Sequence, residues 1–261
     1  NNNIWALNSE VIKLAGCEIS NNSVDITLND NGVISSKRVE FIEKNIYECY
    51  EYSTEIESKL INDIFYIDMN ICNDNKILRQ QIKKLKKAIK NGTTKIIIDV
   101  RDNPGGNSMA CEKLLNAMGM RAPSYGIYIR YSELAHNQYR KLPSEGFRYL
   151  EPDSTTAKRN ESIDLVVLTN ERTFSSATML AVYVKDGGLG TIIGTPSANA
   201  PSSYGDILYY KMPKTGLEVS ISYKKFLRPD TEADQRTLMP DIITEYDTDA
   251  LETAIDYLSM K

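Results

Sequence analysis

Two short turns in the sequence contain residues that could carry out acyl-transfer chemistry. The first follows the apolar run KIIIDV and contains the adjacent residues Gly105 and Gly106. Two neighbouring glycines let backbone N–H groups face outward with no Cβ in the way, which is how a loop binds an anion or a developing oxyanion. Glycines also serve in structural turns that need a positive φ. Taken alone, this turn is more simply explained as structural.

The second turn follows the apolar run LVVLTN and places Ser175 and Ser176 at the start of a predicted helix. A hydroxyl there lies at the positive end of the helix dipole, beside N–H groups that have no partner within the helix. This setting favours a nucleophile with an oxyanion site nearby. Serine is also a preferred N-cap residue, and Ser175 taken alone is more simply explained as a cap.

Few side chains in the sequence could take a proton from a serine. His136 is the only histidine, and histidine is the side chain whose unperturbed pKa suits a base at neutral pH. A Ser-His-Asp triad could therefore use only His136, although a surface or supporting histidine is the simpler interpretation. The lysines after the second turn are expected on strands or at the surface. They are Lys211, Lys214, Lys224 and Lys225.

Strands that alternate with helices must position these turns. The runs KIIIDV, LVVLTN and TIIGT are typical of strands buried on both faces, and the segments between and after them have helical periodicity. This order predicts an α/β fold with a largely parallel sheet covered by helices. Loops at the carboxyl ends of such strands are where these folds place their sites, and both turns occupy such loops.

The first 45 residues have a different character. The alternating segments VDITLND and SKRVEFIEK follow a helical stretch, NSEVIKLAG, and predict a small β-rich piece that resembles the last helix and strands of a PDZ-like module. We therefore expect a boundary near residue 45, with the α/β core over residues 46–261. Because the sequence does not begin with Met, we also expect the chain to continue upstream.

Composition excludes several classes of function. The 261 residues carry a net charge of −4, whereas nucleic-acid binding needs clustered surplus Lys and Arg. No apolar run approaches the roughly 18 residues of a membrane span. Four cysteines without a CxxC pair, together with one histidine, argue against a structural zinc site, and buried free thiols are expected instead.

The segments IIIDVRDNPGGN and LTNERTFSSATMLA resemble the glycine turn and the nucleophile segment of the carboxy-terminal processing (tail-specific) serine peptidases. GTIIGTPSANAPSSYGD, SISYKKFLRPD and LMPDI resemble the segments that follow, so the similarity extends over about residues 46–245 in the family's order. The resemblance implies a crotonase/ClpP-like core and a peptide or unfolded protein substrate. It implies no metal or organic cofactor, and an exported or cell-envelope location. The sequence does not determine the oligomeric state.

The same resemblance implies roles for individual residues. Ser175 falls on the nucleophile, and the oxyanion would be bound by the N–H of Ser176 and one from the Gly105–Gly106 turn. The family's base is a lysine in the loop after the third strand, where desolvation lowers the amine pKa. Here that position is Ala200, 25 residues after Ser175, and alanine cannot accept a proton.

Ala200 leaves three explanations open. Either Ala200 is an engineered substitution, or the chain is a natural pseudoenzyme, or another group acts as the base. The leading hypothesis is a serine peptidase, and the alternative is a catalytically inactive peptide-binding protein of the same fold. A crotonase relative that acts on acyl-CoA would share the oxyanion turns but would have no reason to keep a serine.

Overall fold

The computed structural model describes residues 9–14, 16–30, 32–41, 53–245 and 248–261. The chain divides into two compact units, residues 1–51 and 52–261. The boundary expected near residue 45 and the PDZ-like assignment of the first piece stay predictions. In the part of the chain that the structure describes, no helix is both long and apolar enough to cross a membrane.

The first unit contains a short helix and a β-hairpin. They are α1 (Ser9–Leu14), β1 (Ser23–Asp30) and β2 (Val33–Glu40). The two strands pair antiparallel from Ser23↔Glu40 to Asp30↔Val33. The segments VDITLND and SKRVEFIEK therefore form the two strands of one hairpin, and the last residues of the second segment lie outside the described residues.

The second unit is built on a six-stranded sheet with the order β12-β9-β8-β5-β4-β3. Its neighbours pair in parallel except β3 and β4, which are antiparallel. The predicted α/β fold with a largely parallel sheet is thus confirmed. The strands are β3 (Ile56–Ile61), β4 (Ile64–Met69), β5 (Lys95–Asp99), β8 (Asp164–Thr169), β9 (Thr191–Gly194) and β12 (Ile242–Ile243).

Helices cover both faces of this sheet because alternate strand residues are apolar on both sides. Ile96 and Ile98 of β5 belong to one buried cluster, which also receives helices α2, α3 and α5. Ile97 belongs to the other cluster, against α6. The helices are α2 (Lys76–Lys90), α3 (Met109–Ala117), α4 (Glu133–Gln138), α5 (Ser176–Asp186) and α6 (Ala250–Ser259), and a 3-10 turn spans Ser154–Thr156.

Two features of the second unit differ from what the sequence patterns suggest. The strand-like run KLINDIFYIDMNI forms the hairpin β3–β4, because Asn62 takes a left-handed conformation with φ of 56° that reverses the chain. A separate antiparallel sheet with the order β10-β11-β6-β7 was also not predicted. Its strands are β6 (Gly126–Arg130), β7 (Phe147–Leu150), β10 (Ser203–Lys211) and β11 (Glu218–Leu227).

Candidate active site

The glycine turn follows β5 and is held from beneath by a buried side chain. Asn103 is fully buried, and its Oδ1 accepts a hydrogen bond from the N–H of Gly105 at 2.8 Å. Cys72 pairs with the turn through its main chain, since its N–H donates to Gly105 O at 2.9 Å and its carbonyl accepts from Asn107 at 2.7 Å. Gly105 and Gly106 have φ of 99° and 131°, which only glycine adopts at little cost. The turn leaves Gly106 exposed to solvent.

The serine turn follows β8 and holds Ser175 in an unusual conformation. Ser175 occupies the N-cap position of α5 with φ of 52° and ψ of −122°, and its side chain makes no capping hydrogen bond. A non-glycine residue with positive φ is strained, and such strain persists only where the surroundings enforce it, often at active sites. A strained serine on a sharp strand-to-helix turn also exposes the nucleophile of other hydrolases. Capping therefore does not explain Ser175.

The two turns are in direct contact. A Cβ built on Gly105 would lie 2.5 Å from the Cβ of Ser175 and 2.9 Å from the backbone N of Ser176. The hydroxyl of Ser176 donates to the carbonyl of Gly106 at 2.9 Å. The structure thus brings together Ser175, Ser176, Gly105 and Gly106, as the sequence analysis expected.

Hydrogen bonds between the turns fix their spacing. The backbone N–H of Phe174 donates to Asn103 O at 2.9 Å, and the hydroxyl of buried Thr173 donates to Val100 O at 2.8 Å. The side chain of Asn170 exchanges two hydrogen bonds of 3.0 Å with Asp102, accepting from its N–H and donating to its carboxylate. The sequence analysis assigned no role to these polar residues, although the Asn-x-Gly spacing at Asn103 is typical of a side chain that accepts from the second N–H along.

Two backbone N–H groups at this contact are placed to bind an anion. The N–H of Ser176 lies at the start of α5, where helix N–H groups have no partner in the helix and the dipole is positive. Within the described residues, neither this N–H nor that of Gly106 has a hydrogen-bond acceptor. By contrast, the Gly105 N–H is occupied by Asn103. Of the two glycines, Gly106 is therefore the one with an available donor.

The loop after β9 contains Ala200, and it is attached to the serine turn. The N–H of Ala198 donates to Thr173 O at 3.0 Å, and the amide of Asn199 donates to Ala200 O at 2.8 Å. Next to Ala200, the carbonyl of Pro201 accepts from the hydroxyl of Tyr125 at 3.1 Å. Burial raises the pKa of Tyr125 well above its ordinary value, so the hydroxyl stays a donor. Residues 195–203 contain no ionisable side chain.

The other candidate bases, His136 and Lys224, are bonded to groups outside the two turns. His136 is on α4, and its Nδ1 is 2.6 Å from Leu142 O. Lys224 forms an ion pair with Asp206. Partial burial opposes the charge of Lys224, but the hydrogen bond and charge of Asp206 outweigh it and raise the lysine pKa, which disfavours the neutral amine that a base requires. Among the described residues, no hydrogen bond joins any of these groups to Ser175.

The remaining lysines and the cysteines have ordinary surroundings. Lys225 lies over the ring of Tyr204 at 5.8 Å, and Lys211 and Lys214 are exposed. Cys72 and Cys111 are buried free thiols, as expected, whereas Cys17 is exposed and Cys49 lies outside the described residues. The described ranges contain no cluster of His, Cys, Asp or Glu side chains arranged to hold a metal ion.

A cavity of about 300 Å³ shares wall residues with α3 and α5, the helices that follow the two turns, but Ser175 and Gly106 are not in its wall. Its lining includes Ser108, two residues after Gly106, and Met179. The N–H of Met179 donates to the carbonyl of Ser175, one helical turn earlier. The rings of Tyr125, Tyr183 and Phe226 contribute further surface. The cavity is thus large enough for one sizeable side chain and is lined partly by aromatic rings.

Comparison with known proteins identifies a family. A model of peptidase family S41 matches residues 63–244. No similarity to a curated protein was found. Among solved structures, a lipoprotein from Streptococcus agalactiae matches with a TM-score of 0.51 at 15% identity, covering 80% of this chain and 70% of that one. At such identity the similarity shows the fold alone.

Two further structures have the same level of similarity. The photosystem II D1 C-terminal processing protease matches with a TM-score of 0.50 at 15% identity, over 87% of this chain and 57% of that one. Mature CPAF complexed with lactacystin matches with a TM-score of 0.52 at 15% identity, over 93% and 67%. The chain therefore spans between 57% and 70% of the length of these three structures.

Proposed function

We propose that this chain, which belongs to peptidase family S41, is a serine peptidase that cleaves peptides or unfolded protein segments through Ser175. The observation that carries the proposal is the conformation of Ser175. Its φ of 52° is enforced at a helix start, its hydroxyl is not used as a cap, and it packs directly against Gly105. Strain of this kind is retained where it serves a site.

The proposed reaction is acyl transfer. The Oγ of Ser175 attacks the carbonyl carbon of a peptide bond, and the carbonyl oxygen becomes an oxyanion. The free N–H groups of Ser176 and Gly106 stabilise this oxyanion, with the start of α5 adding its dipole. The proton of the Ser175 hydroxyl passes through solvent to the nitrogen of the leaving amine as the C–N bond breaks. Water then attacks the acyl ester, which releases the carboxylic acid and restores the serine hydroxyl.

The proton acceptor distinguishes this proposal from its alternative. Because Ala200 stands where the resemblance places a lysine, and residues 195–203 carry no ionisable group, the site has the oxyanion donors without a neighbouring base. This observation favours a second candidate function, a catalytically inactive peptide-binding protein of the same fold. His136, the only histidine, remains the candidate for a base other than lysine.

A serine-directed fluorophosphonate tests the proposal. We expect covalent labelling of the native chain, with the modified residue identified as Ser175 by peptide mass spectrometry. Ser175→Ala is expected to abolish labelling, while Ser202→Ala, a serine in the loop that follows Ala200, leaves it unchanged. Absence of labelling in a folded native chain that still binds an unfolded polypeptide would instead establish the peptide-binding alternative.

A further inference from the structure

Asn103 connects three segments that meet beneath the proposed oxyanion site. Its Nδ2 donates to the carbonyl of Met69 at the end of β4, and its Oδ1 accepts from the Gly105 N–H. Its own backbone carbonyl accepts from the N–H of Phe174, the residue before Ser175. The side chain has no exposed surface. A buried amide with these bonds fixes the glycine turn relative to both the sheet and the serine turn.

The bond to Gly105 occupies one N–H of the turn, whereas the N–H of Gly106 has no acceptor among the described residues. Pro104 has no N–H, so the first donor after Asn103 is that of Gly105, which is buried. Without an acceptor, this N–H would be buried and unpaired, which is costly enough to favour rotation of the neighbouring peptide planes. Glycine offers little resistance to such a rotation. The direction of the Gly106 N–H would then change with the peptide planes.

We infer that Asn103 is a positioning residue for the oxyanion site, holding the Gly105 N–H inward so that the Gly106 N–H is available to the substrate. This inference rests on the proposed function of Ser175. Asn103 itself touches no reacting atom, and its effect is exerted through the peptide planes of the glycine turn.

Asn103→Leu removes the acceptor while approximately keeping the volume, and Asn103→Asp keeps an oxygen for the Gly105 N–H. Asn160 provides a matched control. Its Nδ2 donates to Met118 O at 2.8 Å and its Oδ1 accepts from the N–H of Ser162, two residues on, at 3.1 Å. Asn160→Leu therefore removes the same two kinds of bond at a position that does not contact either turn.

The readout is fluorophosphonate labelling of Ser175, separated into the maximal rate of inactivation and the concentration for half-maximal rate. Loss of one oxyanion donor lowers turnover by about 10²- to 10³-fold. We therefore expect Asn103→Leu to lower the maximal rate by about 10²-fold with the half-maximal concentration unchanged. Asn103→Asp keeps the acceptor for the Gly105 N–H but loses the donor to Met69 O, so it should recover part of the rate, and Asn160→Leu should label like the native chain.

Labelling of Asn103→Leu at the native rate, or equal loss in Asn103→Leu and Asn103→Asp, would overturn the inference while the role of Ser175 stands. If Asn103→Leu does not fold, Asn103→Ala removes the same bonds and takes its place. If the native chain is not labelled, the proposed function fails and the oxyanion role of Asn103 fails with it. When the native chain is labelled, hydrogen exchange of residues 100–107 is a second readout: exchange in Asn103→Leu no faster than in Asn160→Leu would show that Asn103 does not hold the glycine turn, and would reject the positioning role.

Discussion

The pair of turns around Ser175 and the loop that carries Ala200 lie side by side but are built differently. The turns are joined by hydrogen bonds that Thr173 donates to Val100 O and Phe174 donates to Asn103 O, and they hold Ser175 at positive φ. The loop is attached through Thr195, Ala198, Pro201 and Ser202, and it has no ionisable side chain.

This difference separates two parts of acyl-transfer catalysis. Stabilising an oxyanion needs donors that are fixed before the reaction, and this is the role that we propose for the turns. Removing the serine proton needs a base of suitable pKa, and the loop supplies none. On the proposed mechanism, the chain keeps the oxyanion donors and lacks the base, which a single side chain could provide. Three kinds of substitution test this division. The first adds a lysine at position 200, the second disturbs the contact between the turns, and the third removes one hydrogen bond from the turns or from the loop.

The largest expected effect comes from Ala200→Lys. The position is half-buried, so partial desolvation should lower the amine pKa and favour the neutral base. A general base typically contributes a factor of about 10² to 10⁴, and we expect hydrolysis of an unfolded protein substrate to rise by a comparable factor. The double variant that also carries Ser175→Ala should lose this gain. No gain, with the lysine seen against Ser175 by crystallography, would favour the peptide-binding alternative.

Gly105→Ala tests the turns. The added Cβ would lie 2.5 Å from the Cβ of Ser175 and 2.8 Å from the Phe174 carbonyl, so the turns must separate. We expect labelling of Ser175 to fall by about 10²-fold or more, and stability to fall by about 1–3 kcal/mol beyond the cost of the left-handed backbone.

Gly92→Ala is the matched control for this substitution. Gly92 has the same φ of 99°, but no atom lies within 4 Å of its added Cβ. It should lose only about 1–2 kcal/mol for the backbone conformation and keep native labelling. Equal labelling of the two variants would show that contact between the turns does not matter for Ser175.

Much of this arrangement was predictable from the sequence, because it depends on local patterns. Continuous apolar runs such as KIIIDV indicate strands buried on both faces, and turn residues directly after them indicate a site at the carboxyl edge of a parallel sheet. The family resemblance, which depends on such segments in order, is confirmed by the match over residues 63–244. The contact of Ser175 with Gly105 follows from the parallel pairing of β5 with β8.

Other features could not be predicted because they depend on tertiary partners. The Asn-x-Gly spacing at Asn103 indicates only the local bond to Gly105, and no pattern marks the hydroxyl of Thr173. Their bonds to carbonyls 34 and 73 residues away depend on the fold. The antiparallel sheet pairs β6 with β11, which are distant in sequence and carry mixed polar and apolar residues. The strain at Ser175 is a backbone property that no residue type encodes.

The smallest expected effects come from one bond on each side of the comparison. Thr173 is fully buried, and its hydroxyl both donates to Val100 O and accepts from the Asn170 N–H at 2.9 Å. Thr173→Val keeps the shape but leaves the Asn170 N–H without this acceptor, which should cost about 1–3 kcal/mol. Tyr125→Phe removes one hydrogen bond to Pro201 and keeps the ring in place, which should cost about 1 kcal/mol.

The two variants should also differ in their effect on Ser175. Thr173→Val loosens the bond that sets the spacing of the serine and glycine turns, so labelling should slow together with the loss of stability. Tyr125→Phe loosens only the loop, which contributes no base, so labelling should stay at the native rate. Denaturant midpoints at constant m-value measure the first quantity, and fluorophosphonate kinetics measure the second. If Tyr125→Phe slows labelling as much as Thr173→Val does, the loop shapes the surroundings of the serine after all, and the division between a complete oxyanion half and an empty base half is wrong.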